Sequence, residues 1–388
     1  MPERNRIYLD HASTTPVLPE ARAAMLPWLE AGFGNPSSLH AEGRRAREAI
    51  DEAREVVSGA IGSLFAEVLF TSSATEAANT AILGSALAPF DARRRRIVLS
   101  AAEHHCVLHT ADILRRLGFQ VVHAPVDSQA RVRLDALAEL LTDDVLLVAV
   151  MHANNELGTF QPVAEVAELA HRVGARFLCD AVQTFGWVPW KVDDLGADFA
   201  TVSAHKLGGP KGCGALYLRA GVKISPLLVG GGQEREMRAG TENVAAIVGF
   251  AAACRTLGGR PGFAAGRTAA RDAFASELER LAPVGLEWTV GAGVERLGGH
   301  AHLRIAGISA ESLLIRLDRL GVSASSGSAC SSGSIEPSHV LVACGWSETE
   351  AREGLRFTFG WTSTIEEARE AARRVASAVE EIRAARRP

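Results

Sequence analysis

"FATVSAHKLGGPKGCGALYLR", residues 199–219, is the stretch whose reading decides the fold. A short apolar run ends on Ser203-Ala204-His205-Lys206, a Gly- and Pro-rich turn follows, and a second apolar run opens at Gly214. Runs of this length bounded by such turns read as strands. Working outward, the same texture recurs with helical patterns between: "EVLFTS" (67–72) before "EAANTAILGSAL" (76–87), "RIVLSA" (96–101) before "VLHTADILRRLG" (107–118), "VLLVAVM" (145–151) before "VAEVAELAHRVG" (163–174), then "RFLCDA" (176–181). Strands alternating with helices imply βαβ units, so the expected class is α/β, with a mostly parallel sheet covered by helices on both faces. Near Gly258-Gly259 the texture changes. A long helical stretch to Leu281, the strands "HLRIAG" and "LRFTFG" and a C-terminal helical pattern predict a smaller α+β domain.

The bulk numbers exclude several classes. With 388 residues, 47% hydrophobic and 22% charged, the chain is long enough for two cores, and a net charge of −4 offers no footprint for direct nucleic-acid binding. The run Arg93–Arg96 precedes an apolar strand and reads as a solvated loop. The first residues lack the apolar core of a signal peptide and no stretch approaches bilayer length, so a cytoplasmic protein without membrane association is expected. Six scattered cysteines without a CxxC pair argue against a disulfide framework or a zinc ribbon.

In open α/β sheets ligands bind beyond the carboxyl ends of strands, and polar residues gather there. Ser72, Ser73, Ala74 and Thr75 lie between a strand and a helix, where free N–H groups favour a phosphate. Asp180 ends one strand with Gln183 after it, and Lys206 ends another. Only four of the 41 basic residues are lysines. A lysine kept at a strand end suggests an amine that must deprotonate and form a Schiff base, which arginine cannot do. Phosphate cradle, carboxylate and lysine together are what pyridoxal 5′-phosphate requires. Separately, "SASSGSACSSGS" (323–334) places Cys330 among small residues that build no core.

On these motifs, with "YLDHASTTP", "FGNPSSLHAEGRRAREAIDEAR", "AEHHCVL", "MHANNELGTFQPV", "GGGQEREMRAGTEN", "SSGSACSSGSIEPSHVL" and "GLRFTFG", the chain resembles the cysteine desulfurases of the NifS/IscS type, class V aminotransferases of fold-type I. The resemblance runs nearly end to end. It implies a large cofactor-binding domain over 15–257 and a small domain over 1–14 and 258–388 that carries the Cys330 loop. Lys206 would hold pyridoxal 5′-phosphate covalently, Asp180 would pair with its ring nitrogen, Gln183 with its ring hydroxyl, and His104 would stack on the ring and shuttle protons. Ala74, Thr75, Ser203 and His205 would hold the phosphate, with Thr241 reaching the site of a second subunit in a homodimer. Asn155 and Arg356 would bind the substrate carboxylate. Cys330 would take sulfur from L-cysteine as a persulfide, release L-alanine, and pass the sulfur to an acceptor protein such as an iron–sulfur scaffold or a thiolation enzyme. The chain departs from the family at Ser73, Ala77, Ala78, Ala204 and Ala239; Ser73 and Ala204 crowd the phosphate and lysine turns.

Other readings are weaker. A selenocysteine lyase would use the same residues, an aminotransferase has no use for Cys330, and neither a silent cofactor-binding subunit nor a Cys/His hydrolase explains the whole set. His104, His105, Cys106 and His109 lack a matching carboxylate or CxxC set, so no metal is expected. Cys179, Cys213, Cys254 and Cys344 read as packing residues. The Cys330 loop is expected to be poorly ordered without a partner and its thiol reachable from solvent, with a helix starting near Pro337.

Overall fold

The computed structural model describes residues 6–88, 91–258, 262–327 and 336–385. Twelve strands are assigned within them: β1 (Ile7–Tyr8), β2 (Val68–Thr71), β3 (Arg96–Ser100), β4 (Gln120–Ala124), β5 (Val145–Ala149), β6 (Arg176–Asp180), β7 (Phe199–Ser203), β8 (Gly214–Leu218), β9 (Leu286–Trp288), β10 (His300–Ile305), β11 (Val322–Ser323) and β12 (Gly354–Thr358).

The main sheet has the order β2-β8-β7-β6-β5-β3-β4. Strands β7, β6, β5, β3 and β4 are parallel, and β8 runs antiparallel to both its neighbours. Successive side chains of a strand point to opposite faces, and both faces here are covered, which is why these strands are almost continuously apolar. Leu69, Leu99, Leu147 and Leu216 pack on one face under the helix Ala74–Leu87. On the other, Phe70 and Val202 meet the helices Ala41–Ile61 and Val244–Gly258, while Val98, Val148 and Phe177 meet Val163–Arg172. The edge strand β4, "QVVHA", was not among the sequence-based strands: it alternates weakly and is only partly buried.

A second, antiparallel sheet has the order β12-β10-β9, and β1 pairs in parallel with β11. Its core is separate from the others and centres on Phe274 of the helix Gly262–Leu281, whose ring stands 4.9 Å from Phe357 and 5.6 Å from Phe359. The helix Ile365–Ala384 closes it with Ala371, Val375 and Val379. The helix expected near Pro337 begins at His339: Ser338, not the proline, occupies the cap, its hydroxyl accepting from Leu341 N. Cys179, Cys213 and Cys254 are buried as packing residues, whereas Cys344 is only partly buried.

Candidate active site

The chain reverses its progression across the sheet between β5 and β3, and that is where a doubly wound sheet opens a crevice at its carboxyl edge. A cavity of about 250 Å³ lies there, lined by residues just past the ends of β2 (Ser73, Ala74, Thr75), β3 (His104, Cys106), β5 (Met151, Ala153, Asn155), β6 (Asp180, Val182, Gln183) and β7 (Ser203, His205, Lys206), together with Ser13. Ten of the twelve residues singled out in the sequence belong to the described chain outside the Cys330 segment and the Thr241 turn, and nine of those ten line this cavity. Cys330 lies outside the described residues.

The floor is Asp180, the last residue of β6. Its Oδ1 accepts from Val182 N and from Thr201 Oγ1, both at 3.0 Å. Burial raises its pKa, and those hydrogen bonds and the nearby Lys206 oppose the rise. Lys206 ends a short helical turn, Ala204–Lys206, after β7. Its Nζ donates to Ala12 O and to Ser13 O, the latter at 2.7 Å, and Gln183 Nε2 donates to the same Ala12 O at 3.1 Å. The N-terminal segment thus wraps the lysine turn: Thr15 N donates to His205 O, and Gly208 N to Thr15 Oγ1. Ala204 presses on Gly209, where a Cβ would come within 2.9 Å of it, so the crowding expected at the lysine turn is absorbed by glycine.

His104 caps the helix His105–Leu108, its Nδ1 accepting from Cys106 N at 3.1 Å. A neutral ring in this pose carries its proton on Nε2. Burial, helped by Lys206, lowers its pKa to about 4. His205, bonded through Nδ1 to Thr14 Oγ1 at 3.1 Å, is lowered to about 4 for the same two reasons. Across the cavity, Ser73 caps the helix Ala74–Leu87 by accepting from Glu76 N at 3.1 Å, so that Ala74 and Thr75 present the first turn of a 14-residue helix. That end favours an anion.

The residues fit pyridoxal 5′-phosphate on the donor set alone. A buried carboxylate has both its described hydrogen bonds on one oxygen, leaving the other for a ring N–H; an amine faces the same space; and a helix N-terminus stands at the far wall.

Two expected residues do not line this cavity. Arg356, on β12, is buried behind the wall: Nη1 donates to Asn155 O at 2.9 Å, and Nη2 to Asp10 Oδ1 at 2.9 Å and Ser13 Oγ at 2.7 Å. It reaches the cavity through Ser13 and Asn155. Thr241 lies apart, exposed beside a cleft of about 150 Å³ shared with Arg238 and Glu242.

Sequence reasoning missed Glu103. It is fully buried, its Oε1 accepts from Met151 N at 2.6 Å, and its backbone carbonyl meets His339 Nε2 at 2.8 Å. Burial, with Asp180 nearby, pushes its pKa up to about 8. The signal available in the sequence was its place directly before His104. Glu156 was also missed: it is buried, accepts from Ser338 Oγ at 2.6 Å, and is raised by burial to about 7.

Comparison with known proteins gives the family. The aminotransferase class-V family model matches residues 7–370. The cysteine desulfurase IscS of Dictyoglomus turgidum is 44% identical over 366 residues, covering 94% of this chain and 92% of that protein. A NifS-like protein of known structure superposes with a TM-score of 0.90 at 33% identity, covering 97% of this chain and all of the other. SspA, solved in complex with cysteine, gives 0.81 at 31% identity over 92% of this chain and 99% of its own. From its strand-end cavity to its relatives, this chain belongs to the cysteine desulfurases of the class-V aminotransferase family.

Proposed function

We propose that the protein is a pyridoxal 5′-phosphate-dependent L-cysteine desulfurase that carries the sulfur on Cys330. The observation that supports this reading best is the convergence of Lys206, Asp180 and His104 on one cavity with a helix N-terminus at its far wall. Lys206 would attach the cofactor, Asp180 and Gln183 would hold its ring, His104 would cover a face, and Ala74, Thr75, Ser203 and His205 would hold its phosphate. When bound, the cofactor supplies an electron sink that weakens the bond to the substrate's sulfur.

The chain's own residues do the rest. Lys206 Nζ would be the base that takes the substrate's α-proton and holds it for the later protonation steps. His104, neutral and protonated on Nε2, would offer a hydrogen bond from that nitrogen without adding a cation. The Cys330 thiolate attacks the substrate sulfur; that sulfur leaves its carbon with the new S–S bond formed, and the carbon skeleton departs as L-alanine after protonation. Cys330 itself lies outside the described residues, but its flanks are tied to the site: Ser325 pairs with Arg356 through both backbone bonds, and Ser338 bonds Glu156, the neighbour of Asn155.

The same reading assigns a homodimer in which Thr241 serves the second subunit's phosphate, substrate-carboxylate binding by Asn155 and Arg356, and delivery of the persulfide to an acceptor protein. It also divides the chain into a large domain (15–257) and a small one (1–14 with 258–388), in keeping with their separate cores. Among the described residues no helix is long and apolar enough to cross a membrane.

The test is incubation of the purified protein with L-cysteine and a reductant, measuring alanine and sulfide, with L-selenocysteine in parallel. Cys330→Ala should form no sulfide, and Lys206→Ala should lose the visible absorbance of lysine-bound cofactor. Wild-type sulfide formation by Cys330→Ala would refute the nucleophile.

A further inference from the structure

Lys206 also lines a second, small cavity of about 10 Å³, room for little more than one water. Lys206 and Gln183 line both cavities. The new wall is contributed by Arg267 of the helix Gly262–Leu281, by His300 of β10 and by His11 and Trp187.

Arg267 is anomalous. It is 5% exposed, its Nε has no hydrogen-bond partner, and among the described residues no carboxylate pairs with it. Its guanidinium stacks on the Trp187 ring, 4.3 Å from the centroid. A buried charge left without a counter-ion is costly and calls for a reason. Burial lowers its pKa to about 9, which still leaves it charged at neutral pH.

The other titratable groups of this cavity do not offset that charge. His300 has both ring nitrogens without partners, and burial with Arg267 close by drives its pKa far down. His11, bonded to Thr358 O and Thr362 Oγ1, is lowered by burial to about 4. Both rings are therefore neutral. On the cofactor side, His104 and His205 are neutral too, and Asp180 is the carboxylate facing Lys206 there. Trp187 also ties the two cations together mechanically, donating from Nε1 to Lys206 O at 3.1 Å.

We infer that Arg267 is a positioning residue for the cofactor-linking lysine, its uncompensated guanidinium repelling a proton from Lys206 across the small cavity. The inference rests on the assignment of Lys206 as the residue that bonds the cofactor. Carbonyl oxygens of Ala12 and Ser13 favour the ammonium form, and Arg267, which shares the small cavity with Lys206 and Ala12, opposes them. A neighbouring cation is an established way to free a lysine amine for attack on a carbonyl and for work as a base.

The test uses the holoenzyme and follows its visible absorbance against pH in the wild type, Arg267→Met, Arg267→Gln, Trp187→Phe and Lys206→Ala. The methionine keeps a stem that Gly299 accommodates, where a Cβ would stand 3.1 Å from Arg267 Cδ. Both Arg267 variants should raise the midpoint by about one pH unit or more. Trp187→Phe, which removes the donor to Lys206 O and replaces the indole beneath Arg267 with a smaller aromatic face while keeping the guanidinium, should leave it near the wild-type value. In the cofactor-stripped full chain, 13C-labelled lysine gives four side-chain signals to titrate, and the one missing from Lys206→Ala should move in the same direction. Unchanged midpoints in both Arg267 variants, or an equal shift in Trp187→Phe, would overturn the inference. Retention of the visible absorbance in Lys206→Ala would instead overturn the cofactor assignment beneath it.

Discussion

Replacing Glu103 with glutamine should flatten the loss of stability that the wild type suffers as pH rises. The folded chain holds this carboxyl at about 8 against an ordinary 4.5, chiefly through burial. Between those values the folded protein keeps a proton that the unfolded chain has released, so stability falls with increasing pH through that window. The difference of about 3.5 units, at about 1.4 kcal/mol each, sets an upper limit of roughly 5 kcal/mol. Glutamine keeps an oxygen to accept from Met151 N and carries no charge at any pH. Urea midpoints of both proteins at pH 5, 6.5 and 8 give the answer. The two should lie close at pH 5, with the variant ahead by about 2–5 kcal/mol at pH 8. A residual slope will remain in the variant, since Glu156, raised to about 7, acts in the same direction over the lower part of the range. Parallel curves for the two proteins would refute the claim that Glu103 is protonated in the fold.

Glu234→Gln should destabilise by about 3–5 kcal/mol in denaturant melts, because it strands Arg54 in a buried pair made at 2.6 and 2.7 Å. Phe274→Ala should cost about 3–5 kcal/mol by emptying the centre of the second core between Phe357 and Phe359, and a loss below 1 kcal/mol would contradict the packing described. His104, with its pKa depressed to about 4, should contribute no inflection to NMR titrations between pH 5.5 and 8; a ring that titrates near 6.5 would show that the site is wetter than the burial implies.

The lining of the cavity was legible where it is local. Asp180 and Lys206 announce themselves by ending apolar strands, and the Ser73–Thr75 turn by standing between a strand and a helix. What escaped the sequence depends on distant packing. Glu103 and Arg267 look like surface charges until Met151, Trp187 and the elements around them bury them. The partners of Arg356, Asp10, Ser13 and Asn155, come from remote parts of the chain, so its motif gave its expected role but not its place one layer behind the cavity lining. The strand β4 was lost because an edge strand needs no continuous apolar run.

Residues 7 to 15 join the second core, where Ile7 and Leu9 pack, to the Lys206 turn. Ile7 and Leu9 bond to residues 321 and 323, Thr358 N reaches back to Leu9 O, and Ala12 to Thr15 grip the Lys206 turn. During synthesis this segment emerges before any of those partners and must wait for more than 340 further residues before its last bonds can close. The main sheet needs no strand from it and can form first. The Lys206 turn is then fastened late, so a nascent or truncated chain would carry a folded large sheet and still lack a finished cavity.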